Sequence, residues 1–263
     1  MSNDSGTSVR RGLLLAATLS ASVLLSLGGQ ERPADAQVWL GHNGDRGGAV
    51  LRDLVQARTR PARPPLRFTL VETAGAVVRL RPGGRVIGTI AEATPLGTPT
   101  WSWARATARH RRWARVALAW RPDHRQGWIR LAGRRRIHTP YWVQADLSRR
   151  RLQLMRGRRA QATFSAAIGA PSSPTPTGRF VVTDLVATGD PTGPFGSFAF
   201  GLSGHQPNLP PGWAGGDQLA IHGTNDPVSI GTASSAGCLR VSDAALAALR
   251  RALRLGSPVV ISR

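Results

Sequence analysis

The sequence predicts a mainly β protein: a β-sandwich with one C-terminal helix, preceded by a small β-barrel-like domain. Three observations predict it. Short runs of alternating apolar and polar residues recur between Gly/Pro turns over residues 69–133, the period of half-buried strands. A second series of such runs starts after Pro140 and continues to the C-terminus. Within these two regions only residues 243–255 combine a capping serine, leucines at helical spacing and a terminating glycine.

The elements follow in chain order. Residues 1–36 read as a signal peptide or an uncleaved anchor. Arg10-Arg11 make a basic start, and the chain from Leu13 to Leu27 is apolar apart from Thr18, Ser20, Ser22 and Ser26. That run is shorter than the roughly 20 residues of a membrane span, and Ala34-Asp35-Ala36 offers the small residues a signal peptidase reads. Either way, the remainder is expected outside the cytoplasm, in the periplasm or cell wall. Residues 37–68 read as a linker with a short helix over 49–58, because they hold Gly41, Gly44, Gly47, Gly48 and the run Pro61-Ala62-Arg63-Pro64-Pro65. Residues 69–136 form the small β domain, with strands over 77–81, 85–90, 113–118 and 127–131; this turn-rich pattern ending in Gly-Trp-Ile resembles the bacterial Src-homology-type small barrels. Arg134-Arg135-Arg136 mark the seam. The C-terminal domain, residues 139–263, reads as strands over 141–147, 151–155, 162–168, 179–185 and 258–262, with the helix before the last. Residues 191–216 are Gly/Pro-rich and expected to be irregular.

Charge and cysteine narrow the function. There are 35 basic against 14 acidic residues, a net charge of +21, and every basic residue is arginine, so composition bias explains much of the balance. Arg105, Arg109, Arg111, Arg112, Arg115, Arg121, Arg125 and Arg130 alternate with Trp101, Trp103, Trp113, Trp120 and Trp128. Nucleic-acid surfaces use such mixtures, but export points away from nucleic acid and toward anionic wall polymers or a membrane surface. The alternative is a solvated basic face over a tryptophan core. The single Cys238 excludes an intramolecular disulfide and any multi-cysteine metal site. It is either a buried bystander or the chemistry.

Two stretches decide for chemistry: Ile221-His222-Gly223-Thr224-Asn225 and Ser234-Ser235-Ala236-Gly237-Cys238-Leu239-Arg240. A cysteine nucleophile needs a base, since a free thiol is only a few per cent ionised at neutral pH, and donors for the oxyanion that follows attack on a carbonyl. His222 supplies the base; backbone N–H groups at Gly237 and Cys238 supply the donors. Arg240 has the planar fork that suits a substrate carboxylate, or it is one more surface arginine. A zinc site from His205, His222 and Cys238 has no supporting ligand spacing.

At these residues the sequence resembles the L,D-transpeptidase family of bacterial cell-wall enzymes. His222-Gly223 and Ser235-Ala236-Gly237-Cys238-Leu239-Arg240 match its signature, joined by Ile168-Gly169, Pro174-Thr175-Pro176-Thr177-Gly178-Arg179-Phe180 and Gly201-Leu202-Ser203-Gly204-His205. The match covers roughly residues 140–263 and implies an L,D-transpeptidase-like β-sandwich. It also implies thioester chemistry on Cys238 with His222 as base, backbone assistance from Gly237 and Gly223, and substrate contacts from Arg240, Ser235 and His205. Peptidoglycan stem peptides are the implied substrate, with no cofactor and no metal. A wall-binding protein without catalysis, or a carboxypeptidase with water as acceptor, are the alternatives. One position departs: Ala236 stands where the family has a second histidine.

Overall fold

Seven short antiparallel strands come first: β1 (Phe68–Glu72), β2 (Val77–Arg79), β3 (Val86–Thr89), β4 (Trp101–Ala108), β5 (Trp113–Ala117), β6 (Gln126–Arg130) and β7 (Arg136–Thr139), in the sheet order β3-β2-β6-β5-β4-β1-β7. The computed structural model describes residues 66–119 and 125–263. The expected targeting segment, nearly all of the expected linker, and Trp120 and Arg121 of the basic patch lie outside the described residues. This sheet is compatible with the expected barrel-like unit. Its inward residues, Val71, Val78, Ala114, Val116 and Ile129, are fully buried, as period-2 alternation requires. Trp101 and Trp113 are buried as well, and the guanidinium groups of Arg135 and Arg130 lie over their rings at 5.7 and 5.9 Å. Trp101 and Trp113 are thus core, with arginines stacked on them from outside, while Trp103 and Trp128 are half-buried.

The β4–β5 turn is strained. Arg109, His110 and Arg111 have φ of 49, 55 and 60°, a left-handed run that costs about 1–2 kcal/mol per residue without glycine. The strands at the ends of this unit reach further than the alternation predicts. Phe68 already pairs with Thr139, and Arg136 of the arginine run belongs to β7.

Past Pro140 the second sheet begins: β8 (Tyr141–Asp146), β9 (Arg151–Arg156), β10 (Arg159–Ser165), β11 (Ile168–Gly169), β12 (Gly178–Ala187), β13 (Phe198–His205), β14 (Gln218–His222), β15 (Ala233–Ser235), β16 (Leu239–Arg240) and β17 (Pro258–Ser262). Eight of them run in the order β10-β9-β8-β17-β12-β13-β14-β16, while β11 and β15 form a separate parallel pair. The ten-residue β12 does double duty. Its first half pairs with β17, its second half with β13, and the register shifts between Val182 and Asp184. A bulge of this kind bends a strand and re-aims its side chains. Between the layers lie Phe180, Val182, Phe200, Leu202, Leu219, Ile221, Leu239, Leu246 and Leu249, all nearly inaccessible to solvent.

One expectation is overturned. Residues 191–216 are not irregular throughout, because β13 occupies their centre. Phe198, Phe200 and Leu202 alternate into the core, but glycines mask the pattern. Gly201 and Gly204 are required there by close packing: a Cβ at Gly204 would stand 2.4 Å from Phe180, and one at Gly201 would stand 2.9 Å from the Asp184 carboxylate.

The helix α1 (Asp243–Ala252) has Ser242 as its cap, whose hydroxyl accepts from the Ala245 N–H at 3.3 Å, with Asp243 in the first turn and Arg250 and Arg251 in the last. It ends three residues before the predicted stop. Leu253 turns extended, and Arg254 to Ser257 close a tight turn through Gly256 at φ 80°. Gly256 passes against the Ser102 backbone of β4, where a Cβ would stand 3.1 Å away. Further along the seam between the sheets, Phe68 meets Trp142 edge-on at 6.3 Å, and the Thr94 hydroxyl donates to Asp184 Oδ1 at 2.6 Å.

Candidate active site

The last two strands of the second sheet bring the two diagnostic stretches together. β14 and β16 are parallel, with Ile221 beside Leu239 and His222 beside Arg240. Paired residues share a face of a sheet, and alternate residues switch faces. Ile221 and Leu239 point into the core; Ala220, His222, Cys238 and Arg240 therefore fall on the opposite face. There they line a cavity of about 280 Å³, walled by Phe195, Gln206, Trp213, Gln218 and Ala236 among others.

Cys238 ends the loop that feeds β16. Its thiol donates to the Gln218 carbonyl at 3.9 Å, and the Ala220 N–H faces the same sulfur. The sulfur thus occupies the edge of β14 where the next strand's backbone would bond. Burial pushes the thiol pKa up, with the Ala220 N–H and the Arg240 charge acting against it.

His222 is 4% exposed. Its Nδ1–H donates to the Gly223 carbonyl at 2.6 Å, a tautomer that leaves Nε2 as an acceptor. Phe195 covers the imidazole edge-on, with ring centroids 5.0 Å apart. Burial lowers the imidazole pKa to about 4; the Gly223 bond works the other way and Arg240 adds to the depression. The resting pair at neutral pH is therefore a thiol and a neutral imidazole. Gly223 is also needed for space, since its backbone touches that of Gly196 and a Cβ would stand 2.9 Å from the Gly196 Cα.

The loop that carries Cys238 is strapped on three sides. Strand β15 pairs with β11, and Ala167 exchanges both backbone hydrogen bonds with Arg240 at 2.9 and 3.1 Å. Gln206, 4% exposed, directs its amide at the carbonyls of Pro174, Ser173 and Ala236 at 3.0, 3.2 and 3.3 Å. Gln218 is held from behind, its amide donating to Thr183 Oγ1 at 3.0 Å and to Asp184 Oδ2 at 3.3 Å. Gln206, Gln218 and Asp184 escape sequence reasoning, because none sits in a motif and their partners lie far along the chain. The Pro174–Thr177 stretch shows its use here: Thr175 Oγ1 accepts from the Gly169 N–H at 2.8 Å, closing the turn that abuts the cysteine loop.

Three sequence expectations need correction. The Gly237 N–H does not face the cavity as an oxyanion donor; it donates to Ser235 Oγ at 3.1 Å. Ser235 is not a substrate contact, since its hydroxyl also donates to the Cys238 carbonyl at 2.6 Å, making it a brace inside the loop. The backbone assistance expected of Gly223 comes through its carbonyl, which holds His222, while its N–H donates to Phe198 O at 3.2 Å. His205 lines a different cavity, of about 290 Å³, whose wall shares Asp217 and Gln218 with that of Cys238. The remaining residues, Cys238, His222 and Arg240, converge. The Arg240 Nε is buried with no hydrogen-bond partner among the described residues.

A family model for the YkuD L,D-transpeptidase catalytic domain matches residues 140–261. The protein of Bacillus subtilis (strain 168) named as an L,D-transpeptidase, YkuD, is 32% identical over 124 residues, which cover 47% of this chain and 67% of that protein. Its namesake in Bacillus licheniformis is 35% identical over 102 residues, or 39% of this chain and 53% of its own length. Among solved structures, an L,D-transpeptidase from Mycobacterium smegmatis superposes with a TM-score of 0.39 at 16% identity, over 76% of this chain and all of that one. L,D-transpeptidase 3 from Mycobacterium tuberculosis, in complex with a faropenem-derived adduct, gives 0.35 at 15%, over 55% and 76%. The sequence matches decide the family. From residue 140 onward, the chain belongs to the YkuD family of L,D-transpeptidase catalytic domains.

Proposed function

We propose that the protein is an exported cysteine L,D-transpeptidase that cross-links peptidoglycan stem peptides through a thioester on Cys238. The observation that carries this reading is the cavity in which Cys238, a tautomerically fixed His222 and the unpartnered Arg240 meet. The donor is a tetrapeptide stem whose C-terminal D-alanine carboxylate pairs with Arg240, whose buried Nε has no partner among the described residues.

Because the resting pair is neutral, the thiol proton moves to His222 Nε2 as sulfur attacks the carbonyl before the terminal D-alanine. The Cys238 N–H, which has no acceptor among the described residues, is left to meet the oxyanion. The imidazolium returns the proton to the departing D-alanine amine, the C–N bond breaks, and the thioester remains. An amine of a second stem then attacks the thioester, Nε2 takes its proton, the C–S bond breaks and the proton goes back to sulfur. No ATP or cofactor enters the balance.

Incubating the purified protein with disaccharide-tetrapeptide and reading products by mass spectrometry tests the proposal. Cross-linked dimer with free D-alanine is the expected result. Free D-alanine without dimer would make the protein a carboxypeptidase, and product undiminished in Cys238→Ala would end the thioester mechanism.

A further inference from the structure

The first sheet carries a second concave site, far in character from the first. Arg111, Arg112, Arg130 and Arg136 surround a cup of about 370 Å³ floored by Leu131 and Ala132, and no acidic residue lines it. We propose that this cup binds the phosphodiester backbone of a flexible polyanion, a poly(alditol phosphate) chain of the cell wall, holding the enzyme beside its substrate. The choice of a wall polymer rests on the export reading above; the anion site itself does not.

Four like charges repel, so their convergence has to be imposed by the backbone. It is. The β4–β5 turn runs left-handed through Arg109, His110 and Arg111, and the Arg112 carbonyl is tied to the Leu131 N–H at 2.9 Å. Arg109 goes elsewhere and packs its guanidinium on Gly83. Arg134 also goes elsewhere, donating to the Arg130, Glu72 and Ala74 carbonyls. The four cup arginines have no hydrogen bond or ion pair through their side chains among the described residues; the one contact is Arg130 over the Trp113 ring. Like charges held together by the backbone without partners repel, and a bound anion would relieve that repulsion.

The form of the polyanion follows from what surrounds the cup. Single-stranded nucleic acid stacks its bases on aromatic faces, and no aromatic residue is among those that line the cup. A lipid bilayer presents a flat charged plane, whereas these arginines ring a recess of about 370 Å³.

Anisotropy of fluorescein-labelled poly(glycerol phosphate) with the full chain tests this, read at low and at physiological salt. Arg111→Gln/Arg130→Gln/Arg136→Gln is expected to weaken binding by about tenfold or more and to flatten its salt dependence. Arg156→Gln/Arg158→Gln/Arg159→Gln, which removes the same charge from the β9–β10 hairpin, is expected to change it by less than about twofold. Equal losses in both variants would mean that net charge alone binds and would overturn the site. Oligo(dT) or phosphatidylglycerol vesicles bound through the cup more tightly than the polymer would overturn the assignment of the ligand. Acylation of Cys238 by a β-lactam, measured alongside, is expected to be unchanged in both variants. Failure of that acylation in the wild-type protein would count against the transpeptidase reading and leave the binding result intact.

Discussion

Gly237 precedes Cys238 with φ at 119°, and a Cβ there would stand 2.2 Å from Gln206 Nε2. Gly237→Ala therefore does two things. It holds a substituted residue in a region L-residues avoid, at a cost of about 1–3 kcal/mol. It also drives the buried Gln206 amide off the carbonyls of Ser173, Pro174 and Ala236, at about 1 kcal/mol for each bond lost. The sum is about 4–6 kcal/mol, concentrated in the loop that aims Cys238. Because displacement of a reacting group by about 1 Å costs on the order of 10²-fold in rate, acylation of Cys238 should fall by about that factor even in folded protein. Gly231→Ala is the matched control. Its φ is 91° and its Cβ would meet nothing within 4 Å, so it carries strain without collision. Urea unfolding and β-lactam acylation kinetics on both variants give the answer. Equal destabilisation by the two changes, or wild-type acylation by Gly237→Ala, would refute the role given to Gln206.

Three further outcomes follow. Burial lowers the His222 pKa from 6.5 to about 4, so the unfolded chain binds this proton first as pH drops. Stability is then fully present above pH 6.5 and is lost as pH falls toward about 4, by up to about 3 kcal/mol; in urea titrations His222→Gln should flatten that slope, and an unchanged slope would contradict it. Asp184→Asn puts an amide donor against the Thr94 hydroxyl or the Gln218 amide, which should cost about 2 kcal/mol in thermal unfolding and slow Cys238 acylation by loosening Gln218. Ala236→His adds an imidazole donor to the cavity wall and should speed acylation by about tenfold; no change would make position 236 a spectator.

What could be read from the sequence was the chemistry that demands rare residue types. Cys238, His222 and Arg240 stand in short motifs, and β14 and β16 deliver them to one cavity. Residues whose work is to hold backbone were illegible. Gln206 binds carbonyls thirty or more positions away on both sides, and Ser235 spends its hydroxyl on a neighbour, so neither leaves a local pattern. The oxyanion role assigned to Gly237 failed because a backbone N–H has no sequence identity; only the fold decides which one is already bonded. In the fold, hydrophobic alternation located most strands, while β13 was hidden by glycines that exist to admit Phe180 and Asp184. The helix overran for a related reason: the Gly256 turn is set by contact with β4, which no local propensity contains.

The most direct test of the central claim is peptide mapping of the protein after reaction with a carbapenem, in the wild type and in His222→Gln. A mass adduct on the peptide containing Cys238 is expected in the wild type, with its rate reduced by about 10²-fold or more in the variant, since a thiol of raised pKa depends on a base in the same cavity. No adduct on Cys238, or an adduct formed at the same rate without His222, would contradict it.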